Sequence, residues 1–496
     1  MKREHIALLT LVLLNIIIRF PITPHELGVD SFVIHNMASS ILEYGYAKWI
    51  VHPLSFFGLY AYSYASGIPY LLAICSLLTG LEMELTIYGV SLLLGITGMF
   101  TAFSLAGEFD KSFVFRLIVA FIFSLSPLAL KFTIWTISTR GPFIMLLPLL
   151  IWCFLRMYKE YDPRYLTTSM IFFILLASTH KMFALIFLII GAYIIAFWLS
   201  KITRGGNMKH SIYLFSFLFL FLFLIQFFLN DARWAIRYTP FLGRGWYDYL
   251  IATVFEISAR LGFLMPLTLI GLVYLVSSGN GSKECWFLII VVLIFTPLLN
   301  QVMYFYQTLL PFFSILSAFG IIYLLGILDR LINRRYSITL ILIAITCFSL
   351  FTLIVRYTNK DQYGYSNYML KSTYSLAEFI QKDTEDNMIF GSDIGRVSAF
   401  VTNPSPPIEE PEYFIYDFLD ERNLKVIRKP IPRSFNEILS FVRYPYGVKR
   451  PSWGYEVEYM LGKKDERVNF PGYDRENVVY DNELEIVWDS QRSDSI

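Results

Sequence analysis

Charge is what this chain has least of. Only 16% of its 496 residues are Asp, Glu, Lys or Arg against 56% hydrophobic, and the mean hydropathy is +0.54. About three soluble domains at ~150 residues each would fit this length, but they would carry more charge, so the composition is that of an integral membrane protein. Cysteine is scarce too. Cys75, Cys153, Cys285 and Cys347 lie in or beside apolar segments, which offers neither a disulfide framework nor a Cys-based zinc site. The sequence has no G-x-G-x-x-G, no P-loop and no H-E-x-x-H, so a nucleotide-binding fold, an ATPase and a zinc protease lack their signatures. A net charge of +2 argues against nucleic acid as the main partner.

The charge that is present is unevenly spread. Residues 356–496 hold 18 basic and 24 acidic side chains, 42 of the 80 in the chain. This division predicts a membrane domain over residues 1–355 followed by a soluble domain over 356–496. Runs that approach the ~20 apolar residues of a spanning helix centre on 6–20, 85–106, 116–131, 142–157, 165–178, 182–199, 211–229, 261–277, 286–299, 309–327 and 338–355. The expectation is an α-helical polytopic membrane protein of about eleven transmembrane helices. The first run, after Met1-Lys2-Arg3-Glu4-His5, has no small-x-small cleavage pattern before Pro21 and Pro24, so it reads as an uncleaved helix. The short stretch Gly67 to Leu78, after the aromatic cluster Phe56-Phe57-Gly58-Leu59-Tyr60, reads as part of an interfacial hairpin in a first outer loop over 21–84.

With that parity, Lys2/Arg3, Lys111/Arg116, Arg156/Lys159/Arg164, Lys201/Arg204/Lys209, Lys283 and Arg330/Arg334/Arg335 all fall on one side. The positive-inside rule makes that side cytoplasmic. The N-terminus is then in the cytoplasm of a multi-pass cell-membrane protein, and the C-terminal domain is extracytoplasmic. That domain reads as a small α+β unit, with a helical pattern at Leu376, Phe379 and Ile380 and strand-like runs at Asn387 to Phe390 and Val478 to Trp488. The one glycosylation sequon, Asn280-Gly281-Ser282, faces the cytoplasm in this topology, and Glu108-Phe109-Asp110 reads as an ordinary solvated turn there.

In the first outer loop, His25-Glu26-Leu27-Gly28-Val29-Asp30-Ser31 precedes a segment with Ile34, Ala38, Ile41 and Leu42 on one helical face and His35, Asn36, Ser39 and Glu43 on another. The spacing predicts an amphipathic helix on the outer leaflet, with Asp30 placed to cap it.

The order of these parts resembles the GT-C superfamily of membrane glycosyltransferases, which contains protein O-mannosyltransferases, aminoarabinose transferases and oligosaccharyltransferase catalytic subunits. The resemblance runs over residues 1–355. It rests on Asp30 beyond the first span, the out-to-in segment Thr86 to Ala106, and Phe123-Ser124-Leu125-Ser126-Pro127-Leu128 ending a return helix. The helix pair joined at Ser178-Thr179-His180-Lys181 and a polar outer segment before Leu310-Pro311 complete it. It implies transfer of a sugar from a polyprenyl-phosphate carrier to an acceptor hydroxyl or amide (glycan, lipid or protein) on the outer face, with Asp30 matching the catalytic carboxylate.

The chemistry asks for the same groups. An acceptor hydroxyl attacking an anomeric carbon needs a base, and the departing lipid phosphate needs cationic donors. Candidates on the outer side are Arg140, Lys181, Arg233, Arg237, Arg244 and Arg260. A covalent intermediate would need a second carboxylate close by. Glu26 is the one near neighbour and is taken as a substrate contact, so the expected reaction is a one-step, inverting displacement. His180 is a weaker phosphate contact than Lys181, which as a membrane-end lysine could equally snorkel. Arg233, Arg237 and Arg244 stand among Trp234, Tyr238, Trp246 and Tyr247, a mixture suited to phosphate and sugar faces or to an interfacial aromatic belt. Tyr304 and Gln307 occupy the place where GT-C enzymes often hold a donor-contacting polar residue. The second outer loop reads Thr136-Ile137-Ser138-Thr139-Arg140-Gly141-Pro142, without the acidic pair of metal-dependent oligosaccharyltransferases. No metal and no cofactor beyond the lipid-linked substrate is therefore expected. Two other classes fit a polytopic chain. One is a transporter or lipid flippase, against which stands the lack of an internal repeat; the other is a non-catalytic sensing or assembly protein.

Overall fold

The structure, a computed structural model, describes residues 3–21, 23–45, 67–160, 162–203, 264–278, 282–295 and 304–331, six strands between 389 and 489, and Ile343, Cys347, Tyr374 and Ser375. The expected spans at 211–229 and 338–355, the cationic aromatic loop with Arg233, Arg237, Arg244 and Arg260, and the helical pattern at 376–380 lie outside the described residues.

Twelve helices make up the described membrane part. They are α1 (Arg3–Ile18), α2 (Val29–Tyr44), α3 (Gly67–Thr79), α4 (Met83–Ala106), α5 (Phe113–Leu125), α6 (Pro127–Leu130), α7 (Arg140–Glu160), α8 (Pro163–Thr179), α9 (Ala184–Thr203), α10 (Leu264–Ser277), α11 (Lys283–Phe295) and α12 (Tyr304–Leu331). Their starts are written locally. Ser112 caps α5 by accepting from the Phe115 N–H, and Ser126 caps α6 with Pro127 in its first turn. Asp162 caps α8 with Pro163 following. In each case the cap oxygen takes a backbone donor that the first turn leaves open, and proline fills a position that needs no donor. Among the described residues α4, α7 and Tyr304–Arg330 of α12 are long and apolar enough to cross a membrane, while α1, α3, α5, α9 and α10 contain shorter apolar helices.

Side-chain contacts give the helices their directions. Asn15 meets Met99 and Arg19 reaches the Gly95 position, so α1 and α4 run antiparallel. Thr101 Oγ1 donates to the Met145 carbonyl at 2.8 Å, and Glu108 takes Arg156 Nε at 2.5 Å, so α4 and α7 run parallel. Phe287 packs on Phe312 and Phe295 on Phe305, which makes α11 antiparallel to α12. The described connections therefore sort to two ends. One end gathers Lys111, Arg116, Arg156, Lys159, Arg164, Lys283 and Arg330. The other gathers residues 19–31, 80–83, 126–140 and 180–183 with the start of α12. The apolar core between them is continuous through α4, α5, α7, α8, α9, α10, α11 and α12.

One sequence expectation changes. Glu108 is buried and not solvated: its carboxylate, 2% exposed, takes Arg156 and, at 2.9 Å, Lys159. Lys159 also stands 3.5 Å from Glu284, so this turn is ionically stitched to α7 and α11. The stretch expected as an interfacial hairpin is in its described part a single 13-residue helix, α3. Ile68 and Leu72 pack it against Ile34 and Ala38 of α2 and Ile87 of α4, and Leu77 and Leu78 stay exposed.

Arg19 is the most deeply buried cation among the described residues. It is fully buried, and its guanidinium donates to Asn15 Oδ1 at 2.7 Å, the Ser124 carbonyl at 2.8 Å and Thr133 Oγ1 at 3.0 Å. A charge taken out of water requires such neutral acceptors on several sides. Gly95 supplies the room, because a Cβ there would overlap the guanidinium. Arg19 thereby ties α1 to the α5 end and to the segment after α6.

The C-terminal part contains β1 (Ile389–Gly391), β2 (Lys425–Arg428), β3 (Tyr446–Lys449), β4 (Tyr459–Lys463), β5 (Val478–Asp481) and β6 (Glu485–Asp489). One sheet has the order β1-β4-β6-β5, parallel between β1 and β4 and otherwise antiparallel; β2 and β3 form an antiparallel pair. Runs such as Val478-Val479-Tyr480 and Ile486-Val487-Trp488 are the β-branched and aromatic residues that suit a pleated surface.

The grouping of cations at one end predicts the orientation. In intact cells, a membrane-impermeant maleimide should label Ser405→Cys and spare Ser282→Cys. Labelling of Ser282→Cys would reverse the topology.

Candidate active site

The loop from His25 to Asp30 and the segment from Thr133 to Arg140 are built against each other. They meet in a backbone bond from the Leu27 N–H to the Trp135 carbonyl at 2.9 Å. Gly28 then turns the chain into α2 at φ +99°, a conformation that disfavours a side chain, and a Cβ there would stand 2.9 Å from Thr136 Oγ1. The facing segment is held as firmly. Ser91 Oγ donates to the Thr136 carbonyl at 2.9 Å, and Trp135 Nε1 donates to the Glu84 carbonyl at 3.2 Å. Trp135 itself sits at φ +38°, unusual for a bulky residue and a mark of a segment its surroundings over-determine.

Beneath this contact lies a buried polar chain. Glu26 is 0% exposed, and its two carboxylate oxygens are both engaged: Ser31 Oγ donates to Oε2 at 2.6 Å, and His35 Nδ1 lies 2.6 Å from Oε1. The same Ser31 oxygen accepts the Ile137 N–H at 3.0 Å. The Glu26 N–H in turn donates to Glu84 Oε1 at 2.8 Å, and His25 Nδ1 is 3.3 Å from that carboxylate. The His25 ring stacks on Tyr374, with centroids 4.2 Å apart, so the segment after residue 356 also touches this loop.

Asp30 emerges on the other side of α2. The cap role weighed for it falls away, because Gly28 is the N-cap and Asp30 lies inside the first turn. Its bonds run across the loop. Oδ2 accepts from Ser138 Oγ at 3.1 Å and pairs with the Arg140 guanidinium. Among the described residues, none donates to Oδ1. Asp30 keeps 36% of its side chain exposed, so one oxygen is fixed and the other faces out. Arg140, the first residue of α7 and 18% exposed, also places Nε 3.4 Å from Ser138 Oγ and its guanidinium carbon 5.3 Å from the Phe132 ring centre.

The structure thus brings Asp30, Ser138 and Arg140 into direct contact and sets Glu26 behind them as a support. His180 belongs to a second group. It ends α8, is 5% exposed, accepts the Met182 N–H at Nδ1 at 3.0 Å, and meets the Tyr304 ring edge-on at 5.1 Å. Gln307, one turn along α12 from Tyr304, is buried, and its Oε1 has no hydrogen-bond partner among the described residues. The side chain of Lys181 lies outside the described residues. Ser138, Ser31 and His35 were not singled out from the sequence. A hydroxyl between two candidate residues carries no pattern that distinguishes it.

No family model and no curated protein matches this chain. Solved structures do. An Archaeoglobus fulgidus oligosaccharyltransferase tethered to an acceptor peptide containing the NVT sequon aligns at 13% identity and TM-score 0.56, over 84% of this chain and 61% of that one. AglB of the same organism, in complex with an inhibitory peptide and a dolichol-phosphate, aligns at 13% identity and TM-score 0.56 over 84% of this chain and 62% of that one. ArnT from Cupriavidus metallidurans in the apo state aligns at 10% identity and TM-score 0.53 over 97% of both chains. The chain has a GT-C-like fold. It spans about 61% of the length of the archaeal oligosaccharyltransferase but matches ArnT end to end. In this GT-C-like frame the paired loops sit where α1, α4 and α7 converge.

Ser31 is the hinge pin of the support. Ser31→Ala removes the acceptor of the Ile137 N–H and a donor to Glu26 and should cost about 1–3 kcal/mol of stability. A thermal-unfolding midpoint in detergent equal to wild type would contradict the network.

Proposed function

We propose that this chain is a membrane glycosyltransferase that moves a sugar from a polyprenyl-phosphate carrier to an acceptor on the outer face, with Asp30 as general base. The observation that carries the reading is the asymmetry of Asp30: Oδ2 is oriented by Ser138 and Arg140, while Oδ1 faces out. A base must be held and yet leave one lone pair for the incoming proton.

In the proposed step the acceptor hydroxyl gives its proton to Asp30 Oδ1 as its oxygen bonds to the anomeric carbon. The bond from that carbon to the phosphate oxygen breaks, and its electron pair leaves with the polyprenyl phosphate. One displacement inverts the anomeric carbon. Glu26, its two oxygens taken by Ser31 and His35, is placed to hold the loop and not to form a covalent intermediate. The charge gained by the leaving phosphate calls for a cation. Arg140 stands beside Asp30, and Lys181, Arg233, Arg237 and Arg244 are the further candidates.

A divalent ion does not fit the described residues around Asp30. A hard cation wants six or more oxygen ligands, whereas Asp30 Oδ2 is paired to a guanidinium and the Thr136 to Pro142 segment offers no carboxylate. The proposed transfer is therefore metal-independent and requires no cofactor beyond the lipid-linked donor. The structurally similar archaeal oligosaccharyltransferase was solved with an acceptor peptide and in complex with a dolichol-phosphate, which supports a lipid-phosphate carrier here.

Asp30→Asn preserves shape and one hydrogen-bond acceptor but cannot take the proton. It should fold with a normal thermal midpoint and lose on the order of 100-fold or more in transfer rate, with EDTA leaving the wild-type rate unchanged. Full activity in the variant, or EDTA inhibition reversed by a divalent cation, would sink the mechanism. Transport or scaffolding gives no reason to depend on this carboxylate.

A further inference from the structure

We propose that Arg140 changes partners during the reaction. It holds Asp30 while the donor is absent and passes to the donor phosphate when the lipid-linked sugar binds, releasing the base only in a donor-loaded site. This rests on the sugar-transfer reading above and deepens it by assigning an order of binding, donor before proton transfer.

In the structure the guanidinium of Arg140 is bonded to Asp30 Oδ2, with Ser138 Oγ shared between them, at 3.1 Å from Asp30 and 3.4 Å from Arg140 Nε. A sugar phosphodiester enters with one negative charge. As the step proceeds, Asp30 accepts a proton and becomes neutral, while the phosphate, keeping the electron pair of the broken bond, reaches two negative charges. The cation's better partner therefore moves from the carboxylate to the phosphate over the reaction itself. An interaction that strengthens in this direction lowers the barrier, unlike one present equally from the start.

The geometry allows the exchange. The Arg140 side chain extends over the Phe132 ring, a face that tolerates a sliding guanidinium, and remains 18% exposed beside an Asp30 side chain that is 36% exposed. Ser138 still bonds Asp30 Oδ2 after the guanidinium leaves, so the base stays oriented. An arginine suits both partners, since its planar fork matches carboxylate and phosphate oxygens alike.

The test is a double-mutant cycle on binding, with the full chain in detergent and a sugar-free polyprenyl monophosphate as probe, read by calorimetry. Competition between Asp30 and phosphate for one cation predicts that Asp30→Asn binds the probe roughly tenfold tighter and Arg140→Gln at least roughly tenfold weaker, the scale of a charge-assisted hydrogen bond. In the Arg140→Gln background, Asp30→Asn should change affinity little. A gain of affinity in Asp30→Asn cannot come from misfolding. If Arg140→Gln does not fold, Arg140→Lys replaces it and should shrink the gain, because a point charge lacks the fork. Weaker binding by Asp30→Asn would mean that Arg140 bridges both anions, and an equal gain in both backgrounds would mean plain charge relief. Either overturns the exchange while leaving sugar transfer standing. Absence of probe binding by wild type would overturn the proposed donor and the exchange together.

Discussion

One hydroxyl, Ser31 Oγ, joins the two halves of the candidate site. It donates to buried Glu26 and accepts from the backbone of Ile137, which is 106 positions from Ser31 along the chain. The consequence is register. With Ile137 pinned, Ser138 and Arg140 follow at the spacing that carries both to Asp30, which lies next to Ser31 on the first turn of α2. A buried carboxylate with both oxygens satisfied is costly to disturb, so the network fixes the loop pair rigidly while its outer member remains open. In the proposed reading, support and chemistry are divided between two acidic residues four apart: Glu26, buried, and Asp30, partly exposed.

The rest of the frame serves this meeting point. Arg19, bonded to Asn15, Ser124 and Thr133, anchors the start of the 133–140 segment to the end of α1. Ser91 and Glu84 of α4 take up its middle. The opposite end of the helices is organised by ion pairs, with Glu108 between Arg156 and Lys159 and the latter near Glu284. Unlike the group around Asp30, these charges neutralise one another and close a turn, whereas Asp30 Oδ1 takes no donor among the described residues.

Hydropathy made most of the described helices legible. The expected run 85–106 is found as Met83–Ala106, 142–157 as Arg140–Glu160 and 309–327 within Tyr304–Leu331, because an apolar run in lipid has few alternatives to a helix. The candidates Asp30 and Arg140 were visible as charged residues near span ends, yet nothing in the sequence joined them, since their pairing depends on a contact across 110 positions. Local patterns misled where burial overrode them. Asp30 looked like a cap, but Gly28 takes that position through its positive φ. Glu108 looked solvated in a polar triplet, and packing of α4 on α7 enclosed it. The amphipathic reading of α2 found its apolar face at Ile34, Ala38 and Ile41 but not that His35 and Asn36 on the other face are buried as well. The likeness to solved structures at 10–13% identity shows a fold kept with little sequence in common.

The central claim is a single displacement at a sugar carbon using one open carboxylate. The most direct measurement is the anomeric configuration of the product, read by NMR after incubating purified protein with a polyprenyl-phosphate sugar of known anomeric configuration and an acceptor. The account predicts a product of opposite configuration to the donor, with one equivalent of polyprenyl phosphate released per transfer. A product that retains the donor's configuration would contradict it, because retention requires a second nucleophile that the paired Glu26 does not supply.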